Sequence, residues 1–220
     1  MLHYVATVRP DLSPEERLLQ LESLIRFRTQ QYNRIEPGFD ESWKRGILFE
    51  SLVLSDPRFP ELSEAEQQIG RYLLCALEHD IFQLTSFGRM HYPDDIVVSV
   101  QGETATVIGL VEVKLNLVKR QGEIREQLGA HANNLRKLEL WINQYLSEGN
   151  EPPVCEDVVW PSSVRSLVVP ADCDRVLFKP ANSSFVTFSG WQVIPALFTR
   201  EEVRVVSDFL WHVGQKGGKA

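Results

Sequence analysis

Residues 91–114 constrain this chain more than any other stretch, because they read as a β-hairpin with its polar groups gathered on one face at one end. Gly102-Glu103 suits a two-residue type II′ loop, which wants Gly at its first position. Gln101 then pairs with Thr104, and an unbroken register carries Asp95 opposite Leu110. Side chains alternate with period 2, so Asp95, Glu112 and Lys114 fall on one face. The other face is Ile96, Val98, Val100, Ala105, Val107, Gly109, Val111 and Val113, with no polar residue among them. Such a face must be covered by a core.

Two carboxylates on a packed sheet repel each other and lose solvation unless a cation sits between them. Oxygen donors select a hard ion, Mg²⁺ or in its place Mn²⁺, over zinc. Lys114 is close enough in sequence to reach the ion's surroundings or a phosphate oxygen. Acids, lysine and metal together suit phosphodiester hydrolysis.

These residues resemble the PD-(D/E)xK nuclease superfamily, whose fold is that of restriction endonucleases. The likeness rests on Pro93-Asp94-Asp95 before the aliphatic run 96–98, and on Glu112-Val113-Lys114 after the run 107–111. The aliphatic run in that family begins just after the motif aspartate, which assigns the role to Asp95 with Asp94 as second choice. The resemblance implies metal ligation by Asp95, Glu112 and the carbonyl of Val113, with Lys114 positioning or activating water.

Two further segments extend it. Over 41–54 a helical wheel lines up Trp43, Ile47 and Leu54, and sets Glu50 between them and Val53. A glutamate on an apolar stripe needs a cationic partner. Gly46, one turn earlier, would let the helix approach the sheet closely. Gly46-x-x-x-Glu50 looks like the family's first-helix motif, whose glutamate completes the metal site. Over 120–145 a long helix aligns Ile124, Leu128, Leu135, Leu138 and Ile142, with Gln127 and His131 intruding. Many relatives place glutamine and tyrosine at that spacing against the catalytic residues; here His131 replaces the tyrosine. A histidine beside an apolar stripe is more often a satisfied core residue than a catalytic one. The four matches span 46–131 in the family's order.

The remaining sequence sets bounds. With 220 residues, 43% hydrophobic and 24% charged, the chain suits a single domain with a sizeable core. It has no apolar run long enough for a membrane span, and its first ten residues lack signal-peptide organisation. Cys75, Cys155 and Cys173 are odd in number and far apart, fitting neither a disulfide framework nor a zinc site, which points to a reducing cytoplasm. A net charge of −7 weighs against polyanion binding over the whole surface. Acidic residues gather at 61–66, 148–157 and 201–202, however, whereas Lys119, Arg120 and Arg125 lie beside the motifs as candidate nucleic-acid contacts.

The expected fold is α/β: a central mixed sheet flanked by helices, with an αβββαβ restriction-endonuclease-like core. Residues 1–35 form an N-terminal helical extension, with Ser13, Pro14 and Glu16 opening its helix. A helix opens at Ser63, a first strand covers 81–87, and the strand 164–169 and short strands at 185–188 and 191–196 follow the long helix. Thr199 caps a last helix, and 214–220 is a flexible tail. The expected function is a Mg²⁺-dependent endonuclease acting on DNA, a homodimer by analogy. The alternative is a catalytically silent member of the fold that binds nucleic acid or protein.

Overall fold

The computed structural model describes residues 45–46, 49–50, 53, 62–84, 92–116, 121–184 and 186–204. The expected N-terminal helix, the stripe residues Trp43, Ile47 and Leu54, the contacts Lys119 and Arg120, and the tail all lie outside them. The architecture is mixed α/β: helix α1 (Glu64–Glu78), strands β1 (Asp95–Gln101) and β2 (Thr104–Val113), helix α2 (Gln121–Ser147), then β3 (Ser166–Val168), β4 (Asp174–Lys179) and β5 (Gln192–Pro195).

Helix α1 starts where its cap dictates. Ser63 Oγ accepts from the Glu66 N–H at 3.4 Å, and Glu66 Oε2 accepts from the Ser63 N–H at 2.8 Å, a reciprocal capping box. Its other oxygen accepts from Val100 N–H at 3.0 Å, tying the helix start to β1. Ile69, Tyr72, Leu73, Ala76 and Leu77 recur at helical spacing and are buried. A Cβ at Gly70 would lie 2.7 Å from the Ile96 carbonyl oxygen, so it is Gly70 that lets a helix touch the sheet. At Gly46 a Cβ would meet no described atom within 4 Å, which corrects the role expected of that glycine. Gly70→Ala should therefore destabilise. A backbone clash of about 3 kcal/mol outweighs the ~1 kcal/mol gained in helix propensity. A lower denaturant midpoint at unchanged slope checks this.

Strand β2 is the centre of a five-stranded mixed sheet, ordered β1-β2-β4-β5, with β3 also on β2. β1 runs antiparallel to β2, while β3 and β4 run parallel to it and β5 runs parallel to β4. The hairpin turns as expected: Gly102 has φ +61° and Glu103 is not left-handed, as type II′ requires. The register does not run unbroken. Gln101 through Val98 pair with Thr104 through Val107, but Val97 pairs with Gly109 and Asp95 with Val111. Ile108 is thus an extra residue on β2, a β-bulge that reverses facing for everything beyond it.

Both sheet faces are consequently apolar and covered. Ile96, Val98, Ala105, Val107 and Leu110 join α1 and α2 in one core. Val97, Val111 and Val113 join Val176, Phe178 and Ile194 in a second, closed by helical Phe49 and Val53 and by Val203. The single eight-residue apolar face expected from strict alternation is corrected accordingly.

Other expectations fall into place or move. Thr199 and Glu202 form a second capping box, with N–H to side-chain distances of 2.7 and 3.2 Å, at the start of the helical residues 200–204. Residues 81–84 form a turn after α1 rather than a strand, and 85–90 are outside the description. Phe188 makes a single bridge to Trp191. Cys75 and Cys155 are joined by a disulfide while Cys173 is free and buried, so the expectation of three unpaired cysteines does not hold. A separation of 80 residues is no barrier once Tyr72, one turn before Cys75, donates its hydroxyl to the Pro153 carbonyl at 2.6 Å. No described helix is long and apolar enough to cross a membrane.

Candidate active site

The bulge decides which side chains meet at the end of the hairpin. Leu110 and Glu112 face the α1–α2 side, and so does Asp94, one residue before β1. Asp94 N–H donates to Val111 O at 2.9 Å, prolonging the ladder, and Asp94 Oδ2 accepts from Val113 N–H at 2.6 Å. Lys114, held by its N–H on the Phe178 carbonyl at 3.0 Å, sends its ammonium to both acids. It pairs directly with Glu112 Oε1 and lies 3.8 Å from Asp94 Oδ2.

Asp95 points elsewhere. It stands opposite Val111, and its Oδ1 accepts from its neighbour Ile96 N–H at 2.8 Å. The expectation that Asp95 shares a face with Glu112 and Lys114 is thus corrected in favour of Asp94. Strict alternation fails because one residue of β2 is looped out of the register.

Glu112 is 2% exposed. Burial, then the charge of Asp94, pushes its carboxyl well above the usual range, with Glu50 adding to the push and Lys114 opposing it. Burial raises Asp94 as well, against the pull of Lys114 and the Val113 N–H. Asp95 is raised chiefly by burial, with the Ile96 N–H opposing. For Lys114, burial would lower the pKa, but Asp94 and Glu112 outweigh it and hold the ammonium above its ordinary value. Two acids face one base, and Glu50, half-buried and helical, acts electrostatically on both Glu112 and Lys114. The cluster therefore carries an excess of buried acid that a proton or a cation would relieve.

A divalent cation fits this donor set. Among the described residues, Glu112 Oε2 is buried without a hydrogen bond. His131 Nδ1 stands 3.7 Å from it, beyond hydrogen-bond reach. The donors are oxygens, the preference of Mg²⁺ and Mn²⁺. In a strand, one residue's N–H and C=O point to the same side, so the Val113 carbonyl opens toward Asp94, past the end of β1.

Helix α2 covers the site from one side. His131 lies on its buried stripe, 1% exposed, packed edge-to-face on Trp191 with ring centroids 5.9 Å apart. Gln127, one turn earlier, is half-buried and makes no hydrogen bond to the carboxylates. Arg125 is exposed on the same helix. Tyr92 was missed by sequence reasoning. Its hydroxyl lies close enough to feel the charges of Asp94 and Glu50, though burial and Glu78 act on it more strongly. Its place two residues before Asp94 was the available signal. A depression of about 390 Å³, lined in part by Asp172, Cys173 and Arg175, lies at the opposite end of β4 and shares no residue with the acids.

Comparison with protein-family models, curated proteins and solved structures found no match to this chain.

Proposed function

We infer that the chain is a Mg²⁺-dependent nuclease of the PD-(D/E)xK type, an endonuclease hydrolysing phosphodiester bonds in DNA. The observation that carries this reading is the convergence of Asp94, Glu112 and Lys114 at one end of the hairpin, two acids and an amine drawn together out of solvent. No core-stabilising role requires that grouping, since apolar residues of similar volume pack as well or better than buried ion pairs. The element order supports it too. A helix, a hairpin, a helix and a strand parallel to the second hairpin strand follow the αβββαβ plan, short of the strand that would precede the hairpin.

In this reading Asp94, Glu112, Glu50 and the Val113 carbonyl hold the ion, and Mn²⁺ substitutes for Mg²⁺. When bound, the ion supplies positive charge to the phosphate and acidity to water. Lys114 acts as a donor, because a lysine held in its ammonium form stabilises developing charge and orients a nucleophile better than it removes a proton. His131 packs behind Glu112 without bonding it, and Gln127 and Arg125 on α2 would contact a phosphate backbone, with Lys119 and Arg120, which precede α2 in the sequence, as further candidate contacts. A homodimer would let two sites address two strands. The Cys75–Cys155 bond removes the cysteine argument for a reducing cytoplasm, so a cytoplasmic location rests on the proposed nucleic-acid substrate alone.

The test is digestion of supercoiled, linear and branched DNA, and of RNA, with Mg²⁺ or Mn²⁺. Cleavage that EDTA stops and added Mg²⁺ restores is the expected result. Binding of these substrates without turnover in either metal would replace the enzyme by a binding module of the same fold.

A further inference from the structure

A second group of metal-binding side chains lies apart from the acids, at the far end of α1. Cys75 and His79 are four residues apart, which sets them on one face of the last helical turn. Cys155 and Glu156 come from a tight turn closed by hydrogen bonds of 3.1 and 2.8 Å between Cys155 and Val158. Glu156 adopts the left-handed region at φ +51°, a conformation that costs a non-glycine residue and here carries its side chain back to the helix. His79 Nε2 and Glu156 Oε1 lie 3.2 Å apart. One donor atom each from Cys75, His79 and Glu156 falls within 4.8 Å of the others, and Cys155 is bonded to Cys75.

We propose that Cys75, His79, Cys155 and Glu156 form a zinc-type site that exists when the Cys75–Cys155 bond is reduced. Two thiolates, an imidazole and a carboxylate are the donors such an ion takes in tetrahedral sites. The distances suit it. With Zn–S near 2.3 Å and Zn–N near 2.0 Å, tetrahedron edges run from about 3.3 to 3.8 Å. The His79–Glu156 separation already sits at the short end. Two sulfurs released from their bond move apart to about the long end, which the 6.1 Å between their Cα atoms permits.

The chemistry balances. A cellular dithiol gives two electrons and two protons to the S–S bond and becomes a disulfide itself, leaving two thiols on the protein. Metal binding then displaces both thiol protons. Helix α1 and the 155–158 turn are thereby held together in either redox state, by a covalent bond or by a shared ion. His79 and Glu156, 45% and 67% exposed at their side chains, give the ion and the reductant a way in.

Co²⁺ is the probe, because thiolate-to-cobalt charge transfer reports sulfur ligation and is absent from an all-oxygen site. Full-length protein reduced with a phosphine should bind one Co²⁺ with that band and yield it to Zn²⁺. Oxidised protein should show no band, and Cys155→Ser, which keeps one thiolate and cannot form the disulfide, about half the band of the reduced wild type. His79→Ala, exposed enough to leave folding alone, should weaken Zn²⁺ binding at least about tenfold. Asp94→Asn should leave the band unchanged, separating this site from the acidic one. No band in reduced protein, a band undiminished by Cys155→Ser, or unfolding on reduction that Zn²⁺ fails to reverse would each overturn the proposal.

Discussion

Asp94→Asn is expected to abolish metal-dependent cleavage, whereas Asp95→Asn keeps most of it. The two aspartates are adjacent and both raised by burial, so neither composition nor solvent exposure separates them. Geometry does. Asp94 shares Lys114 with Glu112 and accepts from Val113 N–H, while Asp95 is engaged with its own neighbour's amide. Asparagine keeps the size of aspartate and can still accept from Val113, so the substitution removes charge with little change of packing. Loss of one charged group from a preorganised site costs on the order of 10²–10³ in rate, and loss of a metal ligand should cost at least that. Steady-state cleavage of plasmid by the two variants, with circular dichroism to confirm folding, decides the matter. Equal loss in both, or loss in Asp95→Asn alone, would mean that the bulge does not set the site.

Lys114→Ala should damage the protein twice over. Cleavage falls by a similar factor, because the donor aimed at the reacting phosphate is gone. Stability without metal also falls, since Asp94 and Glu112 lose the cation that holds them together. Removing one partner of a fully buried pair costs about 3–5 kcal/mol; with a quarter of the lysine side chain exposed, about 2 kcal/mol is the reasonable expectation. Mg²⁺ should restore part of that loss, a ligand-linked gain that rises with metal concentration. Lys137→Ala, at an exposed position of α2, serves as control and should change stability by less than about 0.5 kcal/mol. Thermal melts of each protein in EDTA and in Mg²⁺ measure both effects. If Lys114→Ala melts with wild type in EDTA, the lysine does not hold the acids together.

The sequence revealed what local rules determine. The Gly102 turn, the caps at Ser63 and Thr199 and the long apolar stripe of α2 each depend on a few neighbouring residues, and each stands where it was expected. Glu112 and Lys114 were legible for the same reason, being two residues apart across the end of β2. What escaped were features set by distant contacts. The extra residue Ile108 sits in an apolar run whose one local sign of a slip is the adjacent Gly109, a glycine inside a strand, which by itself does not say on which side of it the alternation breaks. Strand β4, the neighbour that supports Lys114, reads Asp-Arg-Val-Leu-Phe-Lys, too short and too charged at its ends to stand out. The close approach at Gly70 and the Cys75–Cys155 bond depend on which segments the fold brings together.

One measurement bears on the central claim most directly: anomalous diffraction from a crystal of the protein soaked in Mn²⁺. A peak is expected between the carboxylates of Asp94 and Glu112, within reach of the Val113 carbonyl. No peak there at saturating Mn²⁺, with Lys114 still closed on Glu112, would contradict it.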